Sequence, residues 1–394
     1  MKPADHLSLY SARRNRLAAL MGEGVAVIAT APERLRNRDS HYPYRFDSYF
    51  YYLTGFLEPE AALVLVAGKS PKALLFCRNR DPEREVWDGF RYGPEAAKER
   101  FGFDEAHPID ELDKLAPKML EDQPALYYPV GAEADWDARV MRWLNIVRAR
   151  ARAGIAAPER LHDVRVLLDD MRLLKDAHEL GVMRRAARIA AAAHRRAMQS
   201  ARPGRMEYEI EAELLHEFRR NGAQFPAYSP IVAAGANSCV LHYVSNDAQL
   251  AQGDLLLIDA GCELDGYASD ITRTFPVSGR FSDGQRAVYD LVLAAQRAAI
   301  EKVRSGNAWN EPHDAGEYKR SGLWRTLSPG MALTVEPGLY IRAADDVPAA
   351  LRDIGVRIED DVVVTPEGCE VITAEAPKLP DDIEALMRDA RAGS

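Results

Sequence analysis

The sequence predicts two domains of different class, an α/β domain over residues 1–168 and an α+β domain over residues 169–394. Three changes of texture carry that prediction. Up to about residue 130, short apolar runs alternate with amphipathic stretches. Between about 132 and 200 the pattern is almost wholly helical, and from 253 onward it breaks into short β-type runs separated by turn residues. A chain of 394 residues is long enough for two or three domains.

Taken in order, the opening MKPADHLSLYSARRNRLAAL lacks the long apolar core of a secretory signal, and its Leu, Tyr and Ala positions read instead as an amphipathic first helix. GVAVIAT at 24–30, AALVLVA at 61–67 and ALLFC at 73–77 read as buried strands, with helices at 95–101 and 110–120. The aromatic cluster from Tyr42 to Phe56 reads as strand and core packing with some subunit contact. RRAARIAAAAHRRAM at 184–198 is Ala-rich enough for a long helix whose Arg pairs form a solvated face. Beyond it, DLLLIDAG, GYASDITRTFPVSG, MALTVEPGLYI and GVRIEDDVVVT are the β-type runs of the second domain, interrupted by a helical stretch at about 282–304.

Composition excludes several classes of function. Lys+Arg 51 against Asp+Glu 60 leaves a net charge of −9, which argues against a general nucleic-acid binder. No apolar run approaches the ~20 residues of a membrane span. Cys77, Cys239, Cys262 and Cys369 show no close pairing, so neither a disulfide scaffold nor a thiolate zinc site is expected. A cytoplasmic protein fits these features.

Chemistry concentrates in the β-type runs. LLLIDAGCELDGYASDITRTF at 255–275 reads as a hairpin, and a turn centred between Leu264 and Asp265 sets Asp259 opposite Asp270. Facing like charges destabilise a sheet, so the pair makes sense when a cation sits between them. A second hairpin joins 333–342 to 354–364 and carries Glu336 in one arm and Glu359 in the other, with Arg357 on the face of Glu359. Singly, each of these carboxylates reads as a solvated strand-end residue. Converging, the four make an all-oxygen site suited to hard or borderline divalent cations such as Mn(II), and carboxylates can bridge two ions. His242, shortly before the first Asp strand, could donate to a substrate or a tetrahedral intermediate. His313 lies in a polar, turn-rich segment with no suggestive context of its own.

IDAGCELDGYASDITRTFPVSG, LTVEPGLYI and VRIED resemble the metal-binding segments of the M24 peptidases of pita-bread fold, and most closely the Xaa-Pro aminopeptidase (aminopeptidase P) branch. RFDSYFYYLTGF at 45–56 and EVWDGFRY at 85–92 resemble the creatinase-type N-terminal domain of that branch. The resemblance implies a creatinase/aminopeptidase P-type domain at 1–168 and a pita-bread catalytic domain at 169–394. It implies two Mn(II) ions held by Asp259, Asp270, Glu336 and Glu359, with Asp270 and Glu359 bridging. His242, His313 and Arg357 then take catalytic places, and the substrate is a peptide with proline second. A homo-oligomer, dimer or tetramer, is implied as well, with Trp87 at a neighbouring subunit's site entrance.

One departure from the pattern bears on activity. The family's His-rich segment, which supplies a further metal ligand and a catalytic histidine, is missing near 305–316, where EKVRSGNAWNEPHDAGEY runs straight to His313. The shortfall amounts to about a ~20-residue helix, a ~6-residue strand and their loops. Three readings follow: an Xaa-Pro aminopeptidase impaired by the shortening, an Xaa-Pro dipeptidase (prolidase), and a catalytically dead pita-bread module that binds peptide or protein partners. Creatinase keeps the fold without this metal set and fits less well.

Overall fold

The computed structural model describes residues 3–308, 319–320 and 322–392. The chain divides into two compact units, Met1–Arg172 and Leu173–Ser394.

The first unit is built on a six-stranded mixed sheet. In chain order its strands are β1 (Gly24–Ala29), β2 (Ala62–Ala67), β3 (Lys72–Cys77), β4 (Glu105–Pro108), β5 (Ala125–Tyr128) and β6 (Arg160–Asp163), and across the sheet they run β4-β3-β2-β1-β5-β6. Alternate side chains of the central strands enter two separate cores. Ala26, Ile28, Leu63 and Leu65 pack on one face, while Val25, Val27, Val64 and Leu74 pack on the other. Burial on both faces is why these strands read as unbroken apolar runs.

Two expectations need correcting here. The aromatic cluster is in part a helix, Ser48–Thr54, because Asp47 caps it by accepting from Phe50 N–H at 2.8 Å and Gly55 ends it in the left-handed region. Phe50, Tyr52 and Leu53 are buried by it, whereas Tyr42 is exposed. The stretch 132–200 is not wholly helical either. RLHD at 160–163 forms the edge strand β6 beside β5, and its polar sequence gives no apolar pattern from which a strand could be read.

The second unit opens with the helix Ala177–Ser200, started by a capping box between Asp176 and Glu179. Its Ala186, Ala190, Ala193 and Ala197 are buried, and small side chains let the sheet approach closely, with Cys262 Sγ 3.4 Å from the carbonyl of Ala186. The expected Arg face is more than solvated: Arg184 pairs with Glu370, Arg185 with Asp265 and Arg196 with Glu213.

Apart from a short pair at Lys319–Arg320 and Leu323–Trp324, the described strands of this unit begin with β7 (Phe225–Pro226), β8 (Ile231–Ala234), β9 (Leu255–Asp259), β10 (Cys262–Leu264), β11 (Tyr267–Ala268) and β12 (Thr272–Pro276). They are followed by β13 (Ala332–Val335), β14 (Gly338–Ile341), β15 (Ile354–Arg357), β16 (Asp360–Val364) and β17 (Cys369–Val371). β9 pairs with β8 and β12, and β10 pairs with β7 and β11. The first hairpin therefore changes sheets between Asp259 and Cys262.

Its register differs from the expected one. The turn residues are Asp265 and Gly266, both at positive φ (50° and 78°), so Leu264 pairs with Tyr267 and Asp259 pairs with Thr272. Asp-Gly suits a type I′ turn, whereas Leu264 at such a position would be strained. The displacement is two residues, which preserves the face each side chain occupies. The second hairpin is likewise broken in both arms: β13 pairs with β16 and β14 with β15 in one continuous alignment. Glu336 and Glu359 occupy the facing interruptions.

Candidate metal centre

Three breaks in regular pairing bring the carboxylates together. Asp259 ends β9, Asp270 precedes β12, and Glu359 joins β15 to β16. One carboxylate oxygen from each lies within 4.8 Å of the other two. Gly261 makes the approach possible, since a Cβ there would sit 1.6 Å from the Ser269 carbonyl oxygen.

Hydrogen bonds fix each ligand candidate. Arg357 donates through Nη2 to Asp259 Oδ2 at 2.6 Å, through Nη1 to the Tyr340 hydroxyl at 3.0 Å, and through Nε to Thr272 Oγ1 at 3.1 Å. Thr272 in turn donates its hydroxyl to Glu359 Oε2 at 2.6 Å. The Tyr228 hydroxyl donates to Asp259 Oδ1 at 2.5 Å and also touches Asp270 Oδ1. Asp361 Oδ2 accepts the backbone N–H of Asp270 at 2.9 Å.

The electrostatics show a centre short of positive charge. Burial, then the charge of Asp259, pushes the Asp270 carboxyl up to about 7. Glu359 is 2% exposed, and burial followed by Asp270, Asp259 and Glu336 raises its carboxyl well above the ordinary range. Tyr228 is raised by burial and by the same two aspartates. Burial alone would lower the pKa of Arg357, but Asp259 and Tyr340 hold it above its ordinary value. One guanidinium faces three gathered carboxylates, and a divalent cation supplies the balance with the oxygen donors that hard metals prefer. The residues present fit such an ion.

The candidate residues do not all converge. Asp259, Asp270 and Glu359 are together, and Arg357 is bonded to Asp259 and, through Thr272, linked to Glu359. Glu336 is exposed and accepts from Thr334 at 3.2 Å, although its charge is felt by Asp270 and Glu359. His242 is exposed in the turn that follows Gly235–Cys239, and His313 lies outside the described residues. Sequence reasoning missed Tyr228, Thr272 and Asp361. Thr272 and Asp361 stand two residues after Asp270 and Glu359, and spacing on one strand face could have found them. Nothing in the spacing points to Tyr228. A cavity of about 570 Å³, lined by Leu215, Phe225, Pro226, Val244 and others, adjoins the centre through Tyr228.

Comparison with known proteins places this geometry in a family context. A family described as metallopeptidase family M24 matches residues 181–318 and 310–366, and one described as aminopeptidase P, N-terminal domain, matches residues 10–127. Xaa-Pro aminopeptidase of Escherichia coli strain K12 is 40% identical over 432 aligned positions, covering 97% of this chain and 98% of that protein. The solved structure of Pseudomonas aeruginosa aminopeptidase PepP superposes with a TM-score of 0.95 at 47% identity, covering 98% of this chain and 99% of that one. Zinc-substituted E. coli aminopeptidase P in complex with product gives 0.94 at 40% identity, with coverage of 98% and 99%. The alignment of 432 positions is longer than the entire 394-residue chain, so some residues of the E. coli protein have no counterpart here. The two M24 matches meet at residues 310–318.

Proposed function

Because the chain belongs to metallopeptidase family M24 and, within it, to the Xaa-Pro aminopeptidases, we propose that it removes the N-terminal residue from peptides carrying proline in the second position. The observation that supports this most is the convergence of Asp259, Asp270 and Glu359 at the breaks of two hairpins. In this reading Asp259, Asp270, Glu336 and Glu359 hold two Mn(II) ions. Such ions, when bound, supply polarisation of the scissile carbonyl and activation of the attacking water.

The chain's own residues set the rest. Arg357 holds Asp259 in place and offsets its charge, and Thr272 orients Glu359. Glu336 is the solvent-facing carboxylate of the set and is suited to carry a proton from the attacking water to the leaving amine. His242 and His313 serve the substrate and the tetrahedral intermediate. The cavity beside Tyr228, with Phe225, Pro226 and Leu215 in its wall, offers the apolar surface a proline ring requires.

Residues 1–168 form the creatinase/aminopeptidase P-type domain, and 169–394 form the pita-bread domain, shortened near 305–316. Val86, Trp87 and Phe90 are 81%, 82% and 62% exposed, an apolar patch that supports a homo-oligomer, dimer or tetramer. Four free cysteines accord with the cytoplasm. No helix among the described residues is long and apolar enough to cross a membrane.

A tripeptide with proline second, incubated with Mn(II)-loaded protein, tests the activity. Release of the first residue, abolished by chelation and reduced more than ~100-fold in Asp270→Ala, is the expected outcome. The segment that the E. coli relative has and this chain lacks favours one further reading, a module that binds such peptides without cutting them. Peptide binding by the metal-loaded protein with no product would select it.

A further inference from the structure

Behind the carboxylates lies an ion network that the site's own chemistry does not use. Arg273 of β12 and Asp360 of β16 are both 0% exposed, and Arg273 Nη2 donates to Asp360 Oδ1 at 2.7 Å. The same guanidinium donates through Nη1 to two backbone carbonyls, Glu359 O at 2.5 Å and Thr272 O at 2.9 Å. Its Nε reaches the carbonyl of Pro377 at 3.1 Å and its Nη2 that of Ala376 at 3.0 Å.

Asp360 is held as firmly as its partner. Lys378 Nζ donates to Oδ2 at 2.6 Å, Gln296 Nε2 to Oδ2 at 2.9 Å, and Thr373 Oγ1 to Oδ1 at 2.8 Å. Strand alternation explains the division of labour. In the run Glu359-Asp360-Asp361, the first and third side chains face the centre and the second faces Arg273.

Desolvating a guanidinium and a carboxylate is costly, and a hydrophobic pair of similar volume would serve packing at least as well. The pair here does something a hydrophobic pair cannot. It grips both backbones at the break where Glu359 leaves the sheet to face Asp259 and Asp270. We propose that Arg273, anchored by Asp360, is a positioning residue for the metal centre, clamping the main chain of Glu359 and Thr272 so that their side chains meet in one fixed geometry. This inference rests on the reading of the carboxylates as a metal site.

The test is Mn(II) binding to metal-free protein, measured by titration calorimetry and by the Mn(II) electron paramagnetic resonance spectrum, in wild type, Arg273→Lys and Asp360→Asn. Lysine keeps a cation beside Asp360 but cannot reach Asp360 and both carbonyls together. Asparagine keeps the shape of Asp360 without its charge, and it carries the test if the lysine variant does not fold. Glu207→Gln is the control. Glu207 is 0% exposed and accepts the backbone N–H of Ala234 at 2.7 Å and of Ala248 at 2.9 Å, so its replacement disturbs a buried network of the same unit that does not hydrogen-bond Asp259, Asp270 or Glu359.

The expected result is a ~10- to 100-fold weaker Mn(II) affinity and an altered resonance spectrum in the Arg273 and Asp360 variants, with neither change in Glu207→Gln at comparable thermal stability. Wild-type affinity and spectrum in both variants would overturn the inference while leaving the metal site intact. So would an equal loss in the control, which would trace the effect to general destabilisation. Failure of the wild-type chain to take up Mn(II) would overturn the metal reading, and this inference with it.

Discussion

Asp270 shows how far a single residue can be read from sequence. That it would lie beside Asp259 could be expected from sequence, because aspartate is out of place in a β-type run unless something compensates it, and the structure gathers the two with Glu359. Its neighbours were less legible. Tyr228 comes from a segment well before the first hairpin, and its contact with both aspartates exists only in the folded chain. The raised pKa of Asp270 has a consequence that can be measured on metal-free protein. A carboxyl whose folded pKa of about 7 exceeds its unfolded value near 3.8 contributes fully to stability below the unfolded value, and that contribution is lost as pH rises through about 7. Replacing Asp270 by Asn removes this titration. Chelator-treated Asp270→Asn should therefore gain stability relative to wild type between pH 5 and pH 8, by an amount on the order of a few kcal/mol, as read from urea melts at each pH. A constant difference across that range would mean that burial and Asp259 do not act on Asp270 as described.

Among the elements, three strands of the first unit, Gly24–Ala29, Ala62–Ala67 and Lys72–Cys77, and the helices Gly93–Phe101 and Leu112–Met119 follow directly from the sequence patterning. The long runs at 24–30, 61–67 and 73–77 are buried on both faces. What patterning could not supply is strand pairing without an apolar pattern, as in the edge strand Arg160–Asp163, or the capping by Asp47 that turns an aromatic segment into a helix. The first hairpin failed in register for a related reason: the backbone demand of the turn, positive φ at two successive positions, outweighs the count of residues on either side. Gly261 and Gly266 separate these effects. Gly266→Ala adds a Cβ at positive φ and should cost about 1 kcal/mol. Gly261→Ala must move the Ser269 backbone away from a 1.6 Å approach, and should cost more than about 3 kcal/mol while weakening Mn(II) binding. Denaturant unfolding of the two variants tests the order, and equal costs would show that the hairpin does not depend on close approach at Gly261.

At the scale of the whole molecule, the change from an α/β to an α+β texture was visible in the sequence, and the chain divides at Arg172 and Leu173, inside the helix Arg165–Leu173. The crossing of each hairpin from one sheet to another was not visible, because strand breaks at Asp259 and Glu359 leave no mark in hydrophobic periodicity. The proposed shortening near 305–316 belongs to this scale too. The E. coli relative carries residues that have no counterpart here, and the M24 matches meet at 310–318. On the proposed reading, in which the resemblance implies a further ligand in that segment, a chimaera that receives the relative's unmatched residues at that junction should bind Mn(II) more tightly, by ~10-fold or more. Calorimetry of chimaera and parent, side by side, measures the difference, and equal affinities would show that the carboxylates and Arg357 alone set the strength of the site.

Diffraction from crystals equilibrated with Mn(II), recorded for its anomalous signal, bears most directly on the account. Strong anomalous density enclosed by the carboxylates of Asp259, Asp270 and Glu359, with Glu336 drawn toward it, is the predicted result. Density elsewhere on the surface, with those three carboxylates still gathered around the Tyr228 hydroxyl and no ion among them, would contradict it.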